Sequence, residues 1–242
     1  IRRLSSWLQG KTDERPFLDT SRMFDVEHAA TSFIEERESP FFLWIHYMDA
    51  HTPYVPAPRY IREVSSNVLG THRMIHAHTR TGLGWEVGER TLSDLRTLYQ
   101  AAVRQIDASI GRLLSALSEN GVRDETAVVV AGDHGEEFQD HGHLAHYPKL
   151  YDELIRVPLV VDVPGTDGRR IDEHVGLDSV PPTVTDFLDI APPEEWCRAT
   201  LTPRVLGGAG PTHDPVVTLP ARGEEVTQQP CPPPRRYGGL CV

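Results

Sequence analysis

Val128-Val129-Val130-Ala131-Gly132-Asp133-His134-Gly135-Glu136-Glu137 decides how this chain is read. A β-branched apolar run stops at a Gly-flanked Asp-His pair, with two further acids and then His141, His143 and His146 behind it. A strand that delivers carboxylate and imidazole ligands at its C-terminal edge is how α/β enzymes assemble a site. Far upstream a second run, Phe41-Phe42-Leu43-Trp44-Ile45-His46, ends in Met48-Asp49-Ala50-His51-Thr52-Pro53-Tyr54. Two apolar runs feeding two His-bearing loops point to an enzyme rather than a scaffold.

Outward from these runs, Met23, Val26, Ala30, Phe33 and Ile34 recur at three- and four-residue steps. That spacing predicts an amphipathic helix over about 21–37, closed by Ser39-Pro40. Residues 41–46 predict a strand covered on both faces. The proline-bearing stretch 52–90 predicts a long surface excursion over the site. Its His72, His76 and His78 have no accompanying carboxylate or Cys and read as incidental. Leu95, Leu98, Ala102, Ile106, Ile110, Leu113, Leu114 and Leu117 draw one helical stripe over about 92–119, with Asn120-Gly121 as its stop. Strands follow over about 126–131 and 157–163, then a helix over 179–188 with Pro181-Pro182 in its first turn.

This order predicts an α/β fold whose central strands are mostly parallel. Seven of the last 32 residues are proline and apolar periodicity is lost there. Residues 211–242 are therefore expected to form a disordered tail behind a domain spanning 1–210.

At 242 residues the chain can bury a full core. Its 24 basic and 35 acidic residues leave a net charge of −11, which argues against nucleic acid as a partner. Cys197, Cys231 and Cys241 form neither a zinc spacing nor a disulfide framework. No apolar stretch approaches the ~20 residues that span a bilayer, so no transmembrane segment is expected. The chain opens at Ile1 in amphipathic material and reads as a fragment, which leaves its compartment open.

Asp133 and His134, adjacent on a tight turn, can both face one divalent ion. Gly132 and Gly135 would permit unusual backbone angles and a close approach there. The plainer alternative has Asp133 capping the next turn while His134 sits in solvent. His51, on a loop fixed by Pro53 and Pro56, can hold an anionic substrate oxygen or protonate a departing alkoxide. Alternatively it packs the loop down with Tyr54. Asp49 reads as structural. Among His141, His143, His146 and Lys149, one cation is placed to neutralise a sulfate or phosphate group, and spacing does not say which. Arg104 and Asp107 read as a solvated helix face; Glu153 and Arg156 read as braces for the site loop.

Four segments together resemble the sulfatase family of the alkaline-phosphatase superfamily. They are FFLWIHYMDAHTPY (41–54), YQAAVRQIDASIGRLLSALSENG (99–121), TAVVVAGDHGEEFQDHGH (126–143) and LYDELIRVPLVV (150–161). They occur in the family's order across roughly residues 20 to 190. The resemblance implies an alkaline-phosphatase-like α/β sandwich with a mostly parallel central sheet, incomplete in this chain. It implies Asp133 and His134 as metal ligands, with calcium the usual ion, although an Asp/His pair also suits Mn²⁺ or Zn²⁺. His51 would bind sulfate or assist the leaving group. Lys149, His143 or His146 would stand near the family's second sulfate-binding cation; the family lysine lies a little further before the tyrosine matching Tyr151.

The implied activity is hydrolysis of a small-molecule or carbohydrate sulfate ester. Two alternatives accompany it. One is a phosphodiesterase, phosphonate monoester hydrolase or phosphoglycerol transferase of the same superfamily. The other is a noncatalytic, truncated sulfatase-like protein.

One departure matters. The family makes a formylglycine nucleophile from a C/S-x-P-x-R motif placed before the segment matching Phe41–Tyr54, together with two adjacent metal-binding acids. Neither feature stands upstream of Phe41. Cys231-Pro232-Pro233-Pro234-Arg235 fits the motif literally, but lies in the proline-rich tail and reads as accidental. The nucleophile is thus expected in a missing N-terminal part. Residues 1–242 alone are expected to turn over negligibly, and two ligands alone to hold calcium poorly.

Overall fold

The computed structural model describes residues 23–38, 40–65, 87–146, 149–196 and 198–208. The chain forms two compact units, Ile1–Arg123 and Asp124–Val242.

In the first unit, helices α1 (Met23–Glu36) and α2 (Pro58–Val64) pack on the long helix α3 (Glu89–Glu119). Met23, Ala30 and Ile34 form the buried face of α1, and Leu95, Leu98, Leu113 and Leu117 belong to that of α3. Each leucine so buried stabilises the unit by roughly 1.5–3 kcal/mol. The stop of α3 is a two-bond cap: Gly121 N–H donates to the Ser118 carbonyl (3.0 Å) and Val122 N–H to that of Leu117 (3.0 Å). Gly121 adopts φ +67°, where a Cβ would be strained, which is why Asn-Gly ends this helix. Helix α2 lies inside the stretch expected to be an irregular excursion. Pro58 starts it, needing no N–H partner at the first position, and Tyr60 and Ile61 are buried.

The apolar run expected as a doubly covered strand behaves differently. Phe41–Met48 is extended, with alternate side chains half-buried, yet among the described residues it joins no strand ladder. Phe42 and Trp44 are 65% and 76% exposed. A period of two places alternate side chains on opposite faces, and here helices cover only one. Phe41 meets Phe33 of α1 edge to face (5.7 Å), while Tyr47 Oη hydrogen-bonds Ser109 Oγ of α3 (3.0 Å). Burial pushes the Tyr47 phenol above its ordinary value.

In the second unit β1 (Val128–Ala131) pairs with β4 (Leu159–Asp162), Val129 opposite Val161. Between them β2 (Glu137–Phe138) and β3 (Leu144–Ala145) form a small hairpin, and α4 (Asp152–Ile155) makes one turn. Beyond β4 a 3-10 turn (Leu177–Ser179) leads into α5 (Val180–Phe187) and α6 (Thr202–Val205). Thr183 Oγ1 donates to the Ser179 carbonyl (2.6 Å) and accepts from Leu201 N–H (2.8 Å), tying α5 to α6. Both described ladders are antiparallel, so the expected mostly parallel central sheet is not seen among the described residues. Parallel neighbours need a crossover of a dozen or more residues, usually a helix, and among the described residues the only helix between β1 and β4 is the single turn of α4.

His72, His76 and His78 lie outside the described residues, as do the tail 211–242 and its Cys231–Arg235 motif.

Candidate functional site

The Asp-His loop leaves β1 and is pressed against the segment around α4. Gly132 N–H donates to the Pro158 carbonyl (3.1 Å) and Gly135 N–H to that of Leu154 (2.8 Å). A Cβ at Gly135 would collide with the Glu153 carbonyl oxygen. Neither Gly132 nor Gly135 has a positive φ, so close approach, rather than unusual backbone angles, is what the loop requires of Gly135.

On this loop Asp133 is largely exposed at its side chain (73%), and its Oδ1 accepts the N–H of His134 (3.0 Å). The turn-capping bond is therefore present. It leaves Oδ2 facing the imidazole: His134 Nε2 lies 3.8 Å away. The other ring nitrogen, Nδ1, sits 2.9 Å from the Gly135 carbonyl oxygen. A carbonyl only accepts, so Nδ1 carries a proton, and in the neutral ring Nε2 has the lone pair. Ligands held at about 2.0–2.5 Å from one ion lie about 3–4 Å from each other, so Asp133 Oδ2 and His134 Nε2 fit a shared divalent cation. A backbone partner at the far ring nitrogen is the usual way such a histidine is oriented.

His146 joins this pair. Its ring lies 4.1 Å from that of His134, tilted by 35°, and its Nδ1 is 3.2 Å from Glu136 Oε1, a buried carboxylate. Ala145 immediately before it adopts φ +66°, a conformation costly for a residue with a Cβ.

A second group of ligand atoms comes from Glu137, His141 and Glu153, all within 4.8 Å of one another. Glu137 is 1% exposed, and its Oε1 accepts the N–H groups of both His141 and His143 (2.9 Å each). His141 Nδ1 donates to Glu153 Oε1 (2.5 Å), and its ring stacks flat on Tyr151 (3.7 Å, 4°). These atoms could hold a cation. Their bonds already knot the β2–β3 turn to α4, which gives Glu153 the bracing role expected of it.

Lys149 Nζ lies 5.7 Å from the centre of the Tyr151 ring. His143 contributes its backbone to the Glu137 knot. Of the three residues considered for the anion-binding cation, only His146 is in ring contact with His134 among these contacts. Glu136 and Glu137 had drawn notice in the sequence only as neighbouring acids. Their burial has no signature in a pair of adjacent acids, because it depends on the hairpin that folds over them.

His51 belongs to the first unit. Its Nδ1 donates to the Thr52 carbonyl oxygen (2.6 Å), which leaves Nε2 as the ring nitrogen to meet a substrate. Tyr54 is buried and meets Tyr99 of α3 edge to face at 5.5 Å. Asp49 is buried and accepts from Gln105 Nε2 (2.8 Å), in keeping with a structural role. Arg104 and Asp107 form an exposed ion pair (2.9 Å).

The family model described as Sulfatase matches residues 4–190, and the chain belongs to the sulfatase family. The multifunctional alkaline phosphatase superfamily protein PehA of Trinickia caryophylli is 28% identical over 231 residues, covering 82% of this chain and 42% of that protein. An arylsulfatase of Clostridium perfringens is 26% identical over 186 residues, covering 70% and 38%. The crystal structure of the phosphonate monoester hydrolase of Agrobacterium radiobacter superposes with a TM-score of 0.64 at 21% identity, over 79% of this chain and 43% of that one. That likeness shows the fold, an alkaline-phosphatase-like α/β architecture. The chain spans less than half the length of the curated relatives it matches.

Proposed function

We propose that the protein takes part in hydrolysing a sulfate ester, with Asp133 and His134 as ligands of a divalent cation. The observation that carries this reading is the 3.8 Å approach of the Asp133 carboxylate to His134 Nε2, on a loop at the end of β1, in a chain of this family. A bound cation would neutralise charge on the non-bridging oxygens of the sulfate group. The Asp/His donor set suits Mn²⁺ or Zn²⁺ as well as Ca²⁺.

The remaining work falls to the chain's own side chains. His146, oriented by Glu136 and in ring contact with His134, is the side chain best supported for gripping an anionic oxygen, ahead of His143 and Lys149. In its imidazolium form His51 would bind the sulfate through Nε2–H or give that proton to the departing alcohol. The nucleophile is assigned to no residue of this chain. Substrates in this reading are small aryl or carbohydrate sulfates.

A second reading has one observation in its favour. A phosphonate monoester hydrolase shares the fold, and hydrolysis of phosphonate or phosphate diesters would use the same ligands and cations. Turnover of an aryl sulfate and of an aryl phosphonate monoester by the polypeptide carrying this chain separates the two. Under either reading Asp133→Ala and His134→Ala should each lower the preferred reaction by about a hundredfold or more. Turnover undiminished in both variants would refute the assignment of this loop.

A further inference from the structure

We infer that Gln105, buried at mid-length in α3, is a positioning residue for His51. The helical stripe of α3 contains two polar members, Gln105 and Ser109, both 0% exposed. A buried amide is costly unless its donor and acceptor are both satisfied. Gln105 satisfies them on either side of His51: Nε2 donates to Asp49 Oδ1 (2.8 Å), and Oε1 accepts the N–H of Ala57 (2.7 Å). One rigid side chain thereby spans the two ends of the loop 49–57. Within the loop, His51 N–H donates to the Met48 carbonyl (3.1 Å), so the imidazole hangs from the clamped end.

Neighbouring contacts make the same stretch of helix a seat for the segment. Tyr99 takes Tyr54, and Ser109 takes Tyr47. What distinguishes Gln105 is that its two bonds bracket the histidine. Burying an amide rather than a leucine at that position is explained by a loop whose backbone must be held in one conformation.

The inference rests on the proposed role of His51 for its catalytic consequence, but the holding itself can be read without turnover. Gln105→Met keeps the volume and removes both hydrogen bonds. In this variant the Ala57 amide should exchange roughly tenfold faster or more, and the His51 ring resonances should move, while amides at mid-length in α1 keep their protection. Turnover by the whole protein should fall roughly tenfold, and in a double-mutant cycle Gln105→Met should cost nothing further once His51→Ala is present.

Equal losses in the two backgrounds would mean that Gln105 acts through the fold at large, and the inference would be overturned. Unchanged Ala57 exchange and unmoved His51 resonances would overturn it as well. If His51→Ala leaves turnover intact, the catalytic reading of His51 is what fails. The exchange and resonance data then still decide whether Gln105 holds the loop.

Discussion

At the scale of single residues, Gly135 and Asp133 show opposite kinds of constraint. Asp133 is open to solvent, and its identity matters for chemistry. Gly135 matters for space, because the Glu153 carbonyl oxygen occupies the position a Cβ would take. A backbone oxygen cannot rotate aside as a side chain can. Gly135→Ala should therefore destabilise the second unit by about 2–3 kcal/mol or displace the Asp-His loop. Chemical denaturation monitored in that unit checks this, and a variant as stable as the parent would show that the contact is looser than described.

The Glu27–Arg112 pair carries a different prediction. Arg112 Nε and Nη2 both donate to the Glu27 carboxylate (2.6 Å each), and this holds the Glu27 carboxyl below its usual range. A lowered carboxyl stabilises the fold above the ordinary glutamate value, and that contribution is lost as pH falls through the folded value. Arg112 is more than a third exposed (42% at its side chain), so the gain is modest, about 0.5–1 kcal/mol. Wild type and Arg112→Met should differ by that amount at neutral pH and converge in acid. A gap that stays constant down to the acid transition would assign the effect of Arg112 to packing instead.

At the scale of elements, the two kinds of apolar pattern were legible to different degrees. The period of α3 could be read to within a few residues at each end because eight apolar side chains repeat over many turns. Gln105 and Ser109 lie on the same stripe, and their spacing from Leu98 and Leu113 was the one available sign that they are buried. Phe41–Ile45 reads as a strand core on composition alone, but whether one face or both is covered depends on neighbours that a local pattern does not encode. The pairing of His146 with Glu136, and of Glu137 with the β2–β3 turn, arises from a hairpin of two-residue strands, too short to announce itself by periodicity.

The same contrast predicts stability. The helix α3 makes many consecutive backbone bonds, whereas β1 and β4 are four residues each in a ladder that has two strands among the described residues. Such a ladder is marginal by itself. Amides of Val128–Ala131 should exchange faster than those of Leu98–Leu117 in a mass-resolved exchange experiment. Equal protection would mean that β1 gains support beyond its pairing with β4.

At the scale of the whole molecule, charge sets two tendencies against each other. The chain carries 35 acidic and 24 basic residues, and a net charge of −11 repels itself in the folded state. Several acids are nonetheless paired: Glu63 with Arg104, Asp172 with Arg170, Asp178 with Arg198 and Glu173 with Arg204. Salt screens both the repulsion and the attraction. These pairs each have an exposed partner and contribute about 0–1 kcal/mol apiece, already weakened by water. The repulsion is longer in range, and it is the long-range part that shortening the Debye length from about 30 Å to about 8 Å removes first. The melting temperature should therefore rise as sodium chloride goes from about 10 to about 150 mM, by about 2–4 °C for each 1 kcal/mol of repulsion relieved. A fall would show that the attractive pairs outweigh the net charge. In that case charge-neutralising substitutions at Asp172 or Glu173 should lower the melting temperature further rather than raise it.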